Sequence, residues 1–513
     1  MKHRATTLIA PGSVHEDDDA ALNQLGYKQE LSRSMGKFTA FCVTFSIISA
    51  TTAVFTNFGY GLSTGGPAFV WTYPIAMVVI AFWIFIMADM TTKLPIAGYA
   101  YQWSSRINGR GLGWFTGWIA IIGWIAGMTG VTFALAGYFG SLVGIRMTTG
   151  RQELITIGIM ILVMVINIVG VKLASRINNV GAMTEIVSTV VLTVVIAVVA
   201  LFIKKSPNPG SFLFQRGHAA SPFIWAWVTS SLVGLWGLLG AESAADVAEE
   251  TKDTRHVIPR VMFLGFGVAC IIEFAMSLAF TYATPNLVAT AGSATPLTYI
   301  TQHYLGTAVT KVFLATVVIA MFACSLANML ATTRLTFSMA RDNMLPFSGF
   351  FRHVSKRFRS PSGSILVVGT LSCLFVLSAK AMGYIVGLSA LGFYLVFLLM
   401  TIGLIQAYRA KRLPSPRGGF DLGRWRGFVY YVGGVLFLLT VLMLALTPAN
   451  RINGRNMLIA VALGGLWYVL RLRGKIARGE AGAPQMILET QGRPHVEPKI
   501  GMPVPPVEEV RIP

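Results

Sequence analysis

Charged side chains are scarce in this chain: Asp, Glu, Lys and Arg make up 12% of its 513 residues, against 54% that are hydrophobic. A soluble protein has about 25% charged residues, so the composition excludes a large soluble domain. It also excludes a disordered chain and a coiled coil, which are both rich in charge. The net charge is +20, and its meaning depends on where the basic residues lie.

Reactive and ligating side chains are scarce as well. The four cysteines all lie in apolar stretches, which is typical of small buried side chains rather than of disulfides or metal ligands. The histidines fall in predicted tails or loops, and no nucleophile–base set or Gly-Lys-Ser/Thr phosphate loop occurs. We therefore expect no metal, no cofactor and no enzymatic or ATP-driven activity.

Long stretches contain no charge at all, for example 38–88 and 381–408. A bilayer core of about 30 Å requires about 20 apolar residues per helix, whereas a membrane β-barrel shows alternating segments of about 10 residues. The sequence therefore predicts an all-α integral membrane protein with about twelve transmembrane helices. The predicted spans are 38–58, 68–90, 112–145, 153–171, 179–203, 223–247, 260–283, 308–340, 362–379, 382–407, 427–447 and 456–470.

The distribution of Lys and Arg predicts how the chain crosses the membrane. If the N-terminus is cytoplasmic, 31 of the 41 basic residues fall in cytoplasmic segments, as the positive-inside rule requires. We expect a multi-pass protein of the plasma membrane with both termini in the cytoplasm. The basic balance is then a topology signal, and no nucleic-acid partner is needed to explain it. Residues 1–37 lack the form of a cleaved signal peptide.

Two of the predicted spans contain helix-weakening residues. The first runs from Ser46 to Gly66 and is rich in Ser, Thr and Gly, and the sixth contains Gly234, Gly237 and Gly240. Interrupted membrane helices in corresponding positions of two halves indicate a transporter site, while close helix packing is the alternative explanation. Because the two spans are five apart, we predict a five-plus-five inverted repeat with helices 1 and 6 discontinuous. The predicted division is a disordered tail at 1–37, repeats at 38–203 and 223–407, two further helices at 427–470 and a disordered tail at 471–513.

Three local motifs carry a resemblance to a known family. The first extends from Asp89 through Pro95-Ile-Ala-Gly-Tyr-Ala-Tyr-Gln-Trp103, the second covers 236–260, and the third runs from Arg334 to Pro346. Together they resemble the amino acid–polyamine–organocation superfamily of permeases, nearest the amino acid/choline/GABA permease branch, over roughly residues 38–470. The resemblance implies alternating access, with the substrate between unwound helices 1 and 6.

The resemblance also implies where the substrate lies. Its carboxylate would meet the first unwound stretch, because a half-helix N-terminus offers free N–H donors and a partial positive charge. The family's glycines in this stretch fall on Thr51 and Ala53, so this chain departs from the pattern. Trp236 stands where similar permeases place an aromatic lid, and an indole also binds an ammonium; ordinary packing is the alternative. The expected substrate contacts are Ser49, Thr51, Thr52, Ala53, Trp236, Gly237 and Gly240, with Cys324, Ser325 and Asn328 as weaker candidates.

The few acidic residues inside the spans are candidates for coupling. Glu185 stands where related proton-coupled permeases often carry a Lys; it would carry a proton or bind a cation, or else pair with Arg176 or Arg334. Glu242 is a candidate proton or ammonium site, with a structural pair to Arg334 as the alternative. Glu273 receives no assignment.

Asp89 and Arg334 lie near predicted cytoplasmic helix ends and are candidate gate residues; snorkelling to water is the alternative. Glu249 and Glu250 are expected to form solvated pairs with nearby basic residues of the same loop.

The leading functional hypothesis is a secondary active transporter that moves an amino acid or related amine, coupled to a proton or to sodium. The alternatives are an exchanger for choline-, GABA- or polyamine-type amines, and a non-transporting nutrient sensor on the same fold. A channel is disfavoured because no ring of charge is visible.

Overall fold

The computed structural model describes residues 18, 22–23, 25–377, 382–414, 418–448 and 450–484. The greater part of both predicted tails lies outside these residues. The described chain is 79% helical and forms no strand, so the prediction of an all-α membrane protein is confirmed. A single β-bridge joins Met35 to Thr251.

Seven α-helices lie in the described part of the first half of the chain. These are α1 (Lys37–Ile48), α2 (Ala50–Gly65), α3 (Tyr73–Lys93), α4 (Tyr99–Asn108), α5 (Arg110–Val143), α6 (Thr149–Val169) and α7 (Val171–Val198).

The second half continues the series after a loop with a short 3-10 turn. Its helices are α8 (Phe223–Ser230), α9 (Leu232–Gly237), α10 (Ser243–Asp246), α11 (Thr254–Tyr282), α12 (Leu287–Ala291), α13 (Pro296–Arg341), α14 (Ser348–Phe351), α15 (Ser362–Val376), α16 (Met382–Arg409), α17 (Arg426–Leu446), α18 (Arg451–Trp467) and α19 (Arg473–Ala477).

Ten helical stretches of the described chain are long and apolar enough to cross a bilayer. Two shorter apolar helical stretches, Phe223–Gly237 and Ser362–Val376, cover the sixth and ninth predicted spans. Burial separates central from peripheral helices: the apolar part of Lys37–Gly65 is 83% buried, whereas that of Arg451–Ala477 is 17% buried. The interrupted first span therefore lies at the centre of the bundle.

The first span breaks at a single residue. Ser49 adopts a left-handed conformation, with φ of 45°, between α1 and α2. The sixth span breaks over residues 238–242, where Gly240 has a φ of 119°, between α9 and the short α10. Left-handed φ values are costly for most residues but not for glycine, which explains Gly240. The predicted interruption of helices 1 and 6 is therefore present in both spans.

Candidate functional site

The two helix breaks pack directly against each other. A Cβ atom added to Gly240 would lie 2.7 Å from Cγ2 of Ile47 and 3.0 Å from the backbone nitrogen of Ile48. A Cβ atom added to Gly237 would lie 3.1 Å from Cβ of Ala53. Only glycine allows so close an approach of the two backbones, so these glycines bring the interrupted stretches together.

A cavity of about 30 Å³ lies where the breaks meet. The space in this cavity is much smaller than an amino acid requires. Among the predicted contacts, those that line it are Thr52, Trp236, Gly240, Cys324 and Asn328.

Trp236 is one wall of this cavity and is 9% exposed. The hydroxyl of Tyr394 donates a 2.9 Å hydrogen bond to the carbonyl oxygen of Leu235, which anchors the preceding residue to α16. Trp124 and Phe393 form another part of the wall, with ring centroids 4.7 Å apart. Neither residue could be predicted from the sequence, because an aromatic residue in an apolar span looks the same whether it lines a cavity or packs in the core.

Glu185 of α7 is bound to the first helix break. Its Oε1 accepts a 2.8 Å hydrogen bond from the Ser49 hydroxyl and a 3.1 Å hydrogen bond from the Thr51 backbone N–H. The hydroxyls of Ser49 and Thr52 are 2.5 Å apart, and that of Thr51 contacts Thr189. Arg176 and Arg334, the alternative partners predicted for Glu185, take part in none of these hydrogen bonds. A carboxyl group thus already occupies the half-helix N-terminus expected to be free for substrate.

Glu242 lies within the second break. Its Oε2 accepts a 3.0 Å hydrogen bond from the Gly240 backbone N–H, and its Oε1 has no hydrogen-bond partner. The alternative of a pair between Glu242 and Arg334 is wrong, because Arg334 binds Glu250 instead. The Glu242 carboxyl therefore caps the unwound backbone of its own break.

Glu249 and Glu250 are buried, which corrects the expectation that they form solvated pairs. Glu250 accepts hydrogen bonds from Nε and Nη2 of Arg334 at 2.8 and 3.0 Å, and Glu249 accepts them from Arg341 at 3.0 and 3.2 Å. The reason is that the chain after the second break turns inward against the end of α13 instead of reaching water. Arg334 has no exposed surface, so it does not snorkel.

Asp89 is buried at the far end of α3 and does not contact Arg334. Lys93 lies 2.5 Å from its Oδ2, the Tyr430 hydroxyl donates a 3.1 Å hydrogen bond to the same oxygen, and the Leu422 N–H donates to Oδ1 at 3.1 Å. Asp89 therefore joins α3 to α17 and to the segment that precedes it. Snorkelling is wrong here as well, because that segment covers the helix end.

The N-terminal segment closes the predicted cytoplasmic side of the site. The Tyr27 hydroxyl donates to both carboxyl oxygens of Asp342 at 2.8 Å, and the Met35 N–H donates a 2.9 Å hydrogen bond to the carbonyl oxygen of Glu250. The Tyr101 hydroxyl also binds Asp342, at 2.7 Å. Residues 25–36 are thus fastened to the chain just after the second break and to the end of α13.

A much larger cavity of about 450 Å³ lies on the other side of the site. It is lined by Thr56 and Gly130, each about one helical turn beyond the residues Thr52 and Gly127 that line the small cavity. Asn57, Tyr60 and Asn453 add polar groups to its wall. The site between the helix breaks therefore has a large cavity on one side and buried ion pairs on the other.

A polytopic helical protein whose two interrupted helices meet at a small cavity belongs to the class of membrane transporters for small molecules. The chain belongs to the amino acid permease family: the family model described as "Amino acid permease" matches residues 35–467. It is therefore a multi-pass membrane protein that transports amino acids or related amines, and the resemblance found in the sequence is confirmed.

Curated relatives cover most of the chain at low identity. An uncharacterized amino-acid permease of Schizosaccharomyces pombe is 26% identical over 84% of this chain and 83% of its own length. The amino-acid permease BAT1 of Arabidopsis thaliana is 25% identical over 85% and 89%. The GABA-specific permease of Saccharomyces cerevisiae is 22% identical over 90% and 84%.

Proposed function

We propose that this protein is a secondary active transporter that moves an amino acid or related amine across the plasma membrane by alternating access, driven by protons. The observation that carries the proposal is the contact of both helix breaks at one small cavity, with the carboxyl group of Glu185 bound to the first break. Both termini are cytoplasmic in this proposal. The two repeats are residues 38–203 and 223–407, each contributing one interrupted helix.

The cavity between the helix breaks is small, and a much larger cavity lies next to it on one side of the bundle. With cytoplasmic termini, the cavity of about 450 Å³ faces outward, and the Arg334–Glu250 and Arg341–Glu249 pairs close the inner side. Alternating access then requires the inner pairs to separate when the outer cavity closes. The inner pairs and the Tyr27–Asp342 contact are the gate in this scheme.

The charge around the site favours a substrate with an amine. Glu185, Glu242 and Glu273 are fully buried there, while Arg334 and Arg341 are already bound to glutamates. A second acidic group on the substrate would meet uncompensated repulsion in a medium of low dielectric, whereas an ammonium group is attracted. The face of Trp236 is a further cation-binding surface. GABA, which the name of the yeast relative specifies, carries one carboxylate and one ammonium group.

Glu185 couples proton binding to the first break in this proposal. As a carboxylate it accepts from Ser49 and Thr51 and faces the positive end of α2. Protonation removes the negative charge from the half-helix N-terminus and frees it to interact with a substrate carboxylate. Proton and substrate binding would then favour each other, as cotransport requires.

Uptake by the purified protein in proteoliposomes tests this function. The panel consists of labelled proteinogenic amino acids, GABA, choline and putrescine, with an imposed inward gradient of protons, of sodium or of neither. Concentrative uptake of one compound under the proton gradient is expected. Exchange without net uptake would show that the protein is an exchanger. Accumulation under a sodium gradient alone would show that sodium, and not the proton, is the coupling ion. Binding without any transport would indicate a sensor.

A further inference from the structure

Glu273 of α11 is buried against the two helix breaks. It has no exposed surface, and both of its carboxyl oxygens lack a hydrogen-bond partner. A Cβ atom added to Gly237 would lie 2.6 Å from its Oε2. The carboxyl group therefore touches the backbone of the second break, close to Ala53 of the first break. Isolated buried carboxylates are costly, so such a group needs a proton or a cation.

Two hydroxyl groups continue from Glu273 along the same face of α11. Ser277 and Thr281 follow at intervals of four residues, both are fully buried, and neither hydroxyl has a hydrogen-bond partner. The Tyr73 hydroxyl is also buried and has no hydrogen-bond partner. It lies near both Glu273 and Ser277. Glu273, Ser277 and Thr281 thus share one face of α11, which leads from the helix breaks towards the end of that helix.

These hydroxyl groups differ from most others in the helices. Buried Ser and Thr residues in a helix usually donate to the carbonyl oxygen four residues earlier, as Thr129, Thr132 and Thr332 do here at 2.7 to 2.8 Å. Ser277 and Thr281 leave this bond unmade, so their hydroxyl groups are available to each other, to Glu273 and to water. Unpartnered buried polar groups of this kind are normally satisfied by internal water.

We infer that Glu273 is a proton-binding site of the transport cycle, and that Thr281 and Ser277 form its path from the outer face. This inference rests on the proposed function for its direction and its coupling. A proton leaves bulk water at the outer end of α11, passes along the hydroxyl groups and their water, and binds one carboxyl oxygen of Glu273. It leaves to the cytoplasm when the inner gate opens.

The ionisable groups around Glu273 favour a proton. Glu185 is the acidic group that acts on it from α7, Tyr73 faces it from α3, and Cys270 lies one turn before it on α11. Among the described residues no ion pair reaches Glu273, because Arg334 is bound to Glu250. Two carboxylates in one buried region cannot both remain charged at low cost. A proton on Glu273 therefore leaves Glu185 free to accept its two hydrogen bonds.

A metal ion fits this place less well. One side of the carboxyl group is occupied by Gly237 and Ala53, which offer no side-chain oxygen. Hard cations need about six oxygen ligands, and the part of the chain that the structure describes contains no group of three or more His, Cys, Asp or Glu side chains arranged for a metal.

Transport assays test the inference with Glu273→Gln, which keeps the shape of the side chain but cannot release a proton. The probe is the compound of the uptake panel that the wild-type protein accumulates most. An inward gradient of one pH unit drives up to roughly tenfold accumulation with one proton per substrate. Glu273→Gln is expected to abolish accumulation but to keep counterflow exchange at equal pH. Cys270→Ala, on the same helix, is the matched control and should accumulate normally.

Two further measurements test the inference independently of Glu273→Gln transport. Ser277→Ala and Thr281→Val retain the carboxyl group and should slow proton-driven uptake roughly tenfold, about 1.4 kcal/mol in the barrier, without changing counterflow. Infrared spectra of the reconstituted protein should show a carboxylic acid C=O band that Glu273→Gln lacks and Glu185→Gln retains, whether or not a substrate is known. Normal accumulation by Glu273→Gln, or a band unaffected by that change, overturns the inference. Absence of any wild-type transport overturns the proposed function, and the infrared band then decides this inference alone.

Discussion

Arg334 and Glu250 form a fully buried, two-point ion pair, with Nε–Oε2 and Nη2–Oε1 distances of 2.8 and 3.0 Å. The pair joins the end of α13 to the chain just after the second helix break. Because the two residues lie on different elements, the contact fastens these elements together, and it is part of the proposed inner gate. Two parallel hydrogen bonds between a guanidinium and a carboxylate are also strong and directional.

Removing one partner of this pair should destabilise the closed conformation. Breaking a buried ion pair leaves an uncompensated charge and costs about 3–5 kcal/mol. We expect Arg334→Ala to lower the Tm and to make the inner side accessible to a thiol reagent at a cysteine introduced at Ser338, which is buried. The matched control is Arg478→Ala, which breaks an exposed pair with Glu480 and should change neither measurement. Equal labelling of Arg334→Ala and wild type would remove Arg334 from the gate.

Trp236→Ala should impair transport while the protein still folds. Loss of a desolvated cation–π contact costs about 2 kcal/mol, which corresponds to roughly thirtyfold weaker binding of an ammonium group. The measurement is the KM and kcat of uptake, with size-exclusion profiles as the test of folding. Trp225→Ala is the control, because Trp225 lies on the same interrupted span but is 60% exposed. Unchanged kinetics of Trp236→Ala would exclude a role in the substrate site.

Glu185→Gln should change how uptake depends on pH. The amide still accepts from Ser49 and Thr51 but no longer gains or loses a proton. We expect the rate of uptake to depend less steeply on external pH than in the wild type, with the remaining dependence due to Glu273. Glu153→Gln, at the N-terminal end of α6, should leave the wild-type profile intact. An unchanged profile in Glu185→Gln would make Glu185 a structural residue only.

Gly237→Ala should damage both helix breaks at once. The added methyl group would lie 2.6 Å from Glu273 Oε2 and 3.1 Å from Ala53 Cβ. Overpacking of this kind typically costs about 1–3 kcal/mol, so a lower Tm and slower uptake are expected. Gly267→Ala is the control, since a Cβ there meets no atom within 4 Å and alanine favours a helix. A wild-type Tm for Gly237→Ala would show that the two helix breaks are less tightly packed than these distances indicate.

The stability of the protein should depend on pH through Asp342, to which the N-terminal segment is bound. Burial raises the pKa of Asp342 above its ordinary value of 3.8, although hydrogen bonds from Tyr101 and Tyr27 and the charge of Arg341 oppose the shift. The folded protein thus binds this proton more tightly than the unfolded chain. The resulting stabilisation is complete below 3.8 and is lost as pH rises through the folded pKa. Between about pH 4 and pH 7, the Tm of the wild type should fall more than that of Asp342→Asn.

Asp421 is a control for that measurement, because its pKa is shifted in the opposite direction. Burial raises its pKa, but the positive charges of Arg426 and Lys93 outweigh it and lower the pKa below 3.8. Its stabilisation is present above 3.8 and is lost as pH falls through the folded pKa. Asp421→Asn should therefore reduce the loss of Tm on acidification below about pH 4. Identical pH profiles of wild type and Asp342→Asn would contradict a raised pKa of Asp342.

The helix breaks could be predicted from the sequence because their signal is local. Glycine and small polar residues are unusual in a charge-free span, so Gly237 and Gly240 indicated the second break. The position of the first break was harder to predict from the sequence. It lies at Ser49, before Thr51 and Ala53 where the family's glycines would fall, and the Ser49 hydroxyl bound to Glu185 accompanies the left-handed backbone there.

The pairing of charges could not be predicted from the sequence. Arg334 and Glu250 are 84 residues apart and Asp89 and Tyr430 are 341 apart, so proximity in the chain favoured the wrong partners. The cavity wall formed by Trp124 and Phe393 was equally hidden, because packing in three dimensions decides which aromatic side chains face a cavity. Glu273 was visible as an intramembrane acid, but its contact with Gly237 depends on the fold.

Concentrative uptake under a proton gradient tests the central claim most directly. Proteoliposomes containing the wild-type protein are given an inward proton gradient and the best compound of the uptake panel, and internal substrate is followed before and after a protonophore is added. The account predicts accumulation above the external concentration that collapses when the protonophore dissipates the gradient. Equilibration without accumulation, or accumulation that survives the protonophore, would contradict it.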